Sequence, residues 1–133
     1  VVKALKDDSY TPKEVSKKEK KAESHQKVKQ LRGQPASGGV SSGKARVVKD
    51  KSDLFDFKEG EILVVDSINP TMTFVVPLAS GIVERRGGML IHGAIIAREY
   101  GIPCVTGVAD AVEILNTGDN VTIDGFMGLV KLE

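Results

Sequence analysis

The sequence has 133 residues, which is enough for one domain with a modest core and too few for two. Hydrophobic residues make up 41% and aromatic residues 5% of the chain, so we expect a globular fold with an aliphatic core. No apolar stretch is long enough to cross a bilayer, no signal-peptide pattern opens the chain, and the single cysteine has no disulfide partner. We therefore expect a cytoplasmic protein with no membrane partner.

The net charge of +1 is distributed unevenly along the chain. Residues 1–30 hold nine lysines against five acidic residues, whereas residues 31–133 hold ten basic and thirteen acidic side chains. The first segment has few apolar residues, so we predict a basic linker over residues 1–30, flexible or partly helical. Its lysines alternate with glutamates, which disfavours a nucleic-acid partner, and His25 is predicted to be a solvated bystander. The folded domain is predicted over residues 31–133.

From residue 31 onward, short apolar runs alternate with turn signals. In chain order we predict a strand or hairpin arm at 40–48, a helical turn that Ser52 caps and Gly60 ends, a buried strand at 62–65, and a helix from Asn69 to about Leu78. These are followed by a buried strand at 81–83, a helix at 91–100 that Gly101 caps, a strand at 104–106, a short helix at 109–115, and a hairpin of 121–123 and 127–130 around Asp124-Gly125. Buried strands that alternate with helices predict an α/β domain, with an antiparallel β arm at each end.

One histidine, His92, lies at the predicted start of the third helix, after a strand end and a diglycine loop. Unpaired backbone N–H groups and the helix dipole favour an anion at such a position, and a neutral imidazole is a nucleophile. Apolar residues spread round most of this helix, so we expect the helix to be buried and desolvation to keep His92 unprotonated. The residues alone leave a structural histidine, bonded to a backbone carbonyl, as the alternative.

Several neighbours of His92 suit a bound phosphate. Gly87 and Gly88 let the backbone approach a ligand closely, and Gly93 removes side-chain bulk beside the imidazole. Arg86, together with the preceding arginine, is placed to meet phosphate oxygens. Arg98 either contacts the phosphate or makes a structural ion pair. No second histidine, cysteine pair or carboxylate cluster has ligand spacing, so we predict no metal site.

A longer pattern identifies a resemblance. The run Gly87-Gly88-x-x-x-His92-x-Ala94-Ile95-x-Ala97-Arg98-Glu99-x-Gly101-Ile102-Pro103 resembles the signature of the phosphohistidine, or swivelling, domain of the PEP-utilising enzymes. That family includes pyruvate phosphate dikinase, PEP synthase, rifampin phosphotransferase and enzyme I of the bacterial sugar phosphotransferase system. Segments 35–39, 60–64 and 121–125 resemble the family's entry motif, central strand and closing hairpin. The resemblance implies a β/β/α swivelling fold of class α/β in which His92 is phosphorylated.

The resemblance also implies a relay. An ATP-grasp nucleotide-binding domain with Mg-ATP would supply the phosphoryl group, and an acceptor-binding domain would receive it, while this domain itself binds no cofactor. Gly87 and Gly88 would lie beneath the phosphate on His92. The acceptor is pyruvate in the synthase and dikinase and a drug hydroxyl in the antibiotic-modifying branch. A non-catalytic docking or swivel module, in which His92 is never phosphorylated, is the alternative.

Three positions depart from the family pattern. Ile91 stands where a small polar residue usually precedes the histidine, and Leu90 stands where dikinases carry a regulatory threonine. Glu84 occupies a position at which the family commonly has threonine. We therefore expect no dikinase-type regulation and leave the acceptor open between pyruvate and another hydroxyl compound.

Overall fold

The fold is given by a computed structural model, which describes residues 30–87 and 92–133. The predicted linker thus lies, apart from Gln30, outside the described residues, as do Gly88, Leu90 and Ile91. The strands are β1 (Gln30–Arg32), β2 (Gln34–Ser37), β3 (Val40–Val48), β4 (Ile62–Val65), β5 (Gly81–Glu84), β6 (Cys104–Thr106), β7 (Asn120–Asp124) and β8 (Leu129–Leu132). The helices are α1 (Lys51–Leu54), a 3-10 helix (Pro70–Leu78), α2 (His92–Tyr100) and α3 (Ala111–Ile114). None of these helices is long and apolar enough to span a membrane.

All eight strands belong to one sheet, in the order β1-β8-β7-β3-β4-β5-β6-β2. Strands β3, β4, β5 and β6 run parallel to one another, and the remaining pairs are antiparallel. The two edge strands, β1 and β2, are separated in sequence only by Gly33, whose N–H donates to the Gly128 carbonyl at 2.8 Å. Because consecutive residues cannot lie far apart, the two edges of the sheet meet and the sheet is curled.

The curled sheet has an apolar cluster on each face. One cluster packs beneath α2 and the 3-10 helix and includes Leu63, Ile82 and Ala97. The other fills the inside of the curl against α3 and includes Ile62, Val83 and Val105. Strand β4 contributes alternate residues to both clusters, which explains its uninterrupted apolar sequence. The predicted α/β class is confirmed, since one eight-stranded sheet packs against a few helices.

Local structure follows the sequence closely, with four corrections. The first helical turn is capped by Asp50 and not by Ser52, because the Asp53 carboxylate reaches back to accept the Asp50 N–H at 3.0 Å. The helix at Pro70–Leu78 has the predicted bounds, and the Asn69 side chain caps it by accepting the Thr71 N–H at 3.0 Å. It is a 3-10 helix, consistent with Pro77 inside it, which cannot donate a helical hydrogen bond.

The other two corrections concern element lengths. The short helix predicted at 109–115 covers only Ala111–Ile114. The closing hairpin turns over four residues, from Gly125 to Gly128, and not over the two predicted residues. The Asp124 carboxylate accepts the N–H groups of Phe126 and Met127, so this longer turn satisfies backbone donors that a two-residue turn would not contain. Met127 therefore lies in the turn and is exposed.

The end of α2 gives a first prediction. Gly101 has φ +68°, and the following Ile102 N–H donates to the Ala97 carbonyl at 2.9 Å, which is a Schellman C-cap. We expect Gly101→Ala to lower the free energy of unfolding by about 1 kcal/mol, because a Cβ disfavours this left-handed conformation. Urea unfolding measures the change. Gly101→Asn is the matched control and should lose less, since asparagine tolerates positive φ; equal losses for both would contradict the account.

Candidate functional site

His92 is the first residue of α2, and its side chain is exposed. It follows strand β5 by a short loop and lies at the edge of the sheet where the parallel strands β4, β5 and β6 end. The ring is therefore open to solvent and to an incoming ligand. In open α/β sheets this carboxyl edge is the usual place for a ligand, and the helix N-terminus adds unpaired N–H donors.

The expectation that α2 is buried on most sides is wrong. Only Gly93, Ala94 and Ala97 are buried, whereas Ile95 is 42% and Tyr100 is 56% exposed. The three small residues let one face of the helix lie close to the sheet, and Ile96 is partly buried against the same cluster. His92 itself is exposed.

A buried carboxyl group lies directly beneath the first turn of α2. Glu84, the last residue of β5, is 0% exposed, and its Oε2 accepts the Ile68 N–H at 2.7 Å. Its Oε1 is buried and has no hydrogen-bond partner among the described residues. Burial raises the pKa of Glu84 to about 7, the Ile68 N–H lowers it, and the negative charge of Asp66 raises it.

A second buried polar group lies beside Glu84. Thr106 ends strand β6, is 0% exposed, and its Oγ1 is unpartnered within the described ranges. The register pairs Ile82 with Cys104 and Val83 with Val105, so Glu84 and Thr106 stand next to each other on adjacent strands. Side chains alternate between the two faces, which places both on the face that α2 covers. The site therefore contains two unsatisfied polar oxygens beneath the helix that carries His92.

Gly93 is needed because of Glu84. A Cβ at this position would lie 2.5 Å from Glu84 Oε1 and 2.7 Å from its carboxyl carbon, so no other residue fits without displacing the carboxyl group. The sequence had suggested that Gly93 clears space beside the imidazole. The structure shows that it lets the first turn of α2 rest on the Glu84 side chain.

The two arginines before the loop are both held by one carboxylate. Asp66, which follows β4, accepts hydrogen bonds from the Nε atoms of Arg85 and Arg86, the latter at 2.9 Å. The hydrogen bond from Arg86, together with that from Arg85, lowers the pKa of Asp66. These pairs are partly exposed, so each contributes little to stability. Their effect is to orient Arg86, the predicted phosphate contact, through its Nε.

Arg98 contacts the backbone of a neighbouring strand. Its Nε donates to the Ala36 carbonyl at 2.8 Å, which ties α2 to β2. This contact supports a structural role for Arg98. Glu99, the next residue, is exposed on α2.

The loop between β5 and α2 packs tightly at its described end. A Cβ at Gly87 would lie 3.2 Å from Gln34 Oε1 and 3.5 Å from the Gly107 Cα. The Gly107 N–H donates to the Arg86 carbonyl at 2.8 Å, so the loop rests against the segment that follows β6. Gly88, predicted to lie beneath the phosphate, falls outside the described residues.

Sequence reasoning missed Asp66 and Thr106, and it noted Glu84 only as a departure from a family pattern. One signal was present: each is the polar residue that ends, or directly follows, a short buried strand. Carboxyl ends of parallel strands meet at one edge, so such residues gather there.

No group of three or more potential metal ligands occurs among residues 30–87 and 92–133. The cysteine on β6, Cys104, is buried, and burial raises the pKa of its thiol.

The buried carboxyl group gives a second prediction. Between pH 4.5 and about 7, the native chain retains a proton on Glu84 that the unfolded chain has released. Its free energy of unfolding should therefore fall as the pH rises through this range, by on the order of 3 kcal/mol in total. Glu84→Gln, which is neutral throughout, should lose this slope in urea unfolding measured across that range. Glu99→Gln, the control at an exposed acid, should retain it; parallel slopes for wild type and Glu84→Gln would contradict the assignment.

The chain was compared with known protein families. Residues 57–128 match the family described as PEP-utilising enzyme, mobile domain, which is more than half of the chain. The chain belongs to this family. The match includes the β5–α2 segment with His92 and Glu84, as well as Asp66 and Thr106.

Relatives of this mobile domain are much longer proteins. Phosphoenolpyruvate synthase of Pyrococcus furiosus is 42% identical over 118 residues, covering 86% of this chain and 14% of that protein. Rifampicin phosphotransferase of Bacillus subtilis is 38% identical over 100 residues, covering 75% of this chain and 11% of that protein. The solution structure of an Enzyme I protein (nEIt) superposes with a TM-score of 0.53 at 29% identity, covering 60% of this chain and 33% of that chain.

Proposed function

We propose that this mobile domain carries a phosphoryl group on His92 between two active sites of a larger phosphotransferase. The observation that carries the proposal is the position of His92, exposed on the first turn of α2 at the carboxyl edge of the parallel strands. A phosphoryl group on that ring meets the unpaired N–H groups and the positive end of the helix dipole.

In the first half of the relay, an ATP-grasp domain presents Mg-ATP to His92. A ring nitrogen of His92 attacks the β-phosphorus in line, and a nitrogen–phosphorus bond forms as the bond to the AMP oxygen breaks. The γ-phosphate passes to water as inorganic phosphate. The ring must be neutral to attack. The attack leaves the ring positively charged, and loss of the proton from its other nitrogen makes the ring of the phosphohistidine neutral again. Arg86, which Asp66 holds through its Nε, is proposed to meet phosphate oxygens.

In the second half, the domain delivers the phosphoryl group to an acceptor domain. We propose pyruvate as the acceptor: its enolate oxygen attacks the phosphorus, the nitrogen–phosphorus bond breaks, and phosphoenolpyruvate leaves with free His92. The 42% identity to a phosphoenolpyruvate synthase supports this choice. The 38% identity to a rifampicin phosphotransferase favours a second candidate, in which the acceptor is the hydroxyl group of another compound.

The test supplies the chain with an ATP-grasp domain of the family, Mg²⁺ and ATP radiolabelled at the β-phosphate. We expect acid-labile, alkali-stable label on the chain, and discharge of that label by pyruvate with formation of phosphoenolpyruvate. Label that pyruvate leaves in place, but a hydroxyl compound removes, would select the second acceptor. No label on a chain that is folded by circular dichroism would favour the non-catalytic docking module and contradict the carrier.

A further inference from the structure

The carboxyl group beneath α2 is not used by the relay as described, and it is unusual in three respects. Glu84 is fully buried, and its Oε1 has no hydrogen-bond partner among the described residues. The same Oε1 lies only 2.5 Å from the position that a Cβ at Gly93 would take. A buried carboxyl group with an unpaired oxygen is costly, so its presence at this position requires an explanation.

We propose that Glu84 is a positioning residue for His92. The uncharged carboxyl group of Glu84 supports the first turn of α2 and allows the phosphoryl group to lie at the helix N-terminus. This inference rests on the proposed carrier function. Glu84 touches neither ATP nor the acceptor in this scheme; it acts through the turn that begins with His92 and Gly93.

The geometry explains why the uncharged form is needed. A phosphoryl group on His92 brings negative charge to the same helix end beneath which Glu84 is buried, and an ionised Glu84 would repel that charge. A protonated carboxyl group removes this repulsion. It also has a hydrogen to donate, and Thr106 offers an unpartnered hydroxyl oxygen on the neighbouring strand.

The surrounding charges are consistent with this assignment. The segment 67–79, which packs over Glu84 through the Ile68 N–H, carries no titratable residue. Burial raises the pKa of Glu84 to about 7, and the negative charge of Asp66 also raises it. The charge of Asp66 is itself paired with two arginines. The charged or titratable groups on the elements around Glu84 are Asp66, Arg85 and Arg86 at the ends of β4 and β5, Cys104 on β6, and His92, Arg98, Glu99 and Tyr100 on α2, all four of which are exposed.

By reciprocity, phosphorylation of His92 must favour protonation of Glu84 as strongly as protonation favours phosphorylation. The two groups are therefore coupled near neutral pH. Removal of the Glu84 charge should accelerate phosphorylation of His92 at pH values above the titration midpoint of Glu84. At pH values well below that midpoint it should have no effect.

The test uses phosphoramidate, which phosphorylates accessible imidazoles without an enzyme: the nitrogen–phosphorus bond to His92 forms as ammonia leaves. The full chain is treated in a background that lacks His25, and phosphorylation is followed at about pH 6 and about pH 8. Glu84→Gln should react up to about 10-fold faster than wild type at pH 8 and at nearly the same rate at pH 6. The reason is that a Glu84 with a pKa of about 7 is protonated in only about a tenth of the wild-type molecules at pH 8 but in most of them at pH 6. Glu99→Gln, which removes an exposed acid from the same helix, should show one constant ratio at both pH values.

A second measurement needs no substitution. Carbon NMR of the Glu84 carboxyl group gives its titration midpoint before and after phosphorylation, and we expect the midpoint to move to higher pH by at least about half a unit. If His92 is phosphorylated while the midpoint stays fixed and Glu84→Gln follows the wild-type rates, the positioning role is overturned and the carrier stands. If His92 takes no phosphoryl group in any variant, the carrier function fails and the positioning role fails with it.

Discussion

Replacing His92 by alanine should abolish ATP-dependent turnover of the phosphotransferase that we propose contains this domain, by at least about 10³-fold, because the proposed nucleophile of the relay is lost. The same change should alter the free energy of unfolding by no more than about 0.5 kcal/mol, since the side chain is exposed. Steady-state turnover measures the first effect, and urea unfolding of the chain measures the second.

The matched control for this change is Glu99→Gln. It lies on the same helix and is equally exposed, but it has no role in the relay, so turnover should stay within about twofold of wild type. Retention of more than about a tenth of the turnover by the His92→Ala enzyme would contradict a phosphoryl carrier on this residue.

Gly93→Ala should lower the free energy of unfolding, although alanine is usually the more stable residue inside a helix. The new Cβ would lie 2.5 Å from Glu84 Oε1, and overpacking of a buried site costs about 2 kcal/mol. Alanine is the better helix former by about 1 kcal/mol, so a net loss would show that the steric conflict dominates. Urea unfolding gives the value.

A double-mutant cycle assigns that loss to Glu84. In a Glu84→Ala background, Gly93→Ala should be neutral or stabilising, with a coupling of at least about 1 kcal/mol. Gly87→Ala is the control in the nearby loop, where the added Cβ would lie 3.2 Å from the end of the Gln34 side chain and in ordinary contact, at 3.5 Å, with the Gly107 Cα, so it should be tolerated. Additive losses in the cycle would contradict the contact between Gly93 and the carboxyl group.

Much of the fold could be predicted from local sequence signals. The run Ile62–Val65 is apolar at every position because β4 is buried on both faces, and Asn69 with Pro70 defines the start of the 3-10 helix. Gly101 ends α2 as predicted, because its conformation is set within a few residues of the chain.

The features that failed depend on tertiary contacts. The apolar character of α2 suggested burial all round, but Gly93, Ala94 and Ala97 bury a single face against the sheet. The burial of Glu84 could not be predicted either. It arises from contacts with the Ile68 N–H, which precedes Glu84 in the sequence, and with Gly93 on α2, which follows it, and only the folded chain brings these together. The ion pairs of Asp66 with Arg85 and Arg86 follow from the register of β4 beside β5, which places Val65 opposite Glu84.

The candidate site divides in the same way. His92 could be identified because local sequence signals, a diglycine followed by a predicted helix, place it at the start of that helix. Glu84 and Thr106 could not be connected with it, because only the parallel pairing of β5 with β6 brings them together beneath the helix.

The most direct measurement is to locate the phosphorus after the chain has been labelled from ATP by an ATP-grasp domain. Mass spectrometry of peptides kept at alkaline pH should place one phosphoryl group on His92, and the peptide should lose it in acid. Phosphorus on any other residue, or none on a chain that remains folded, would contradict the account.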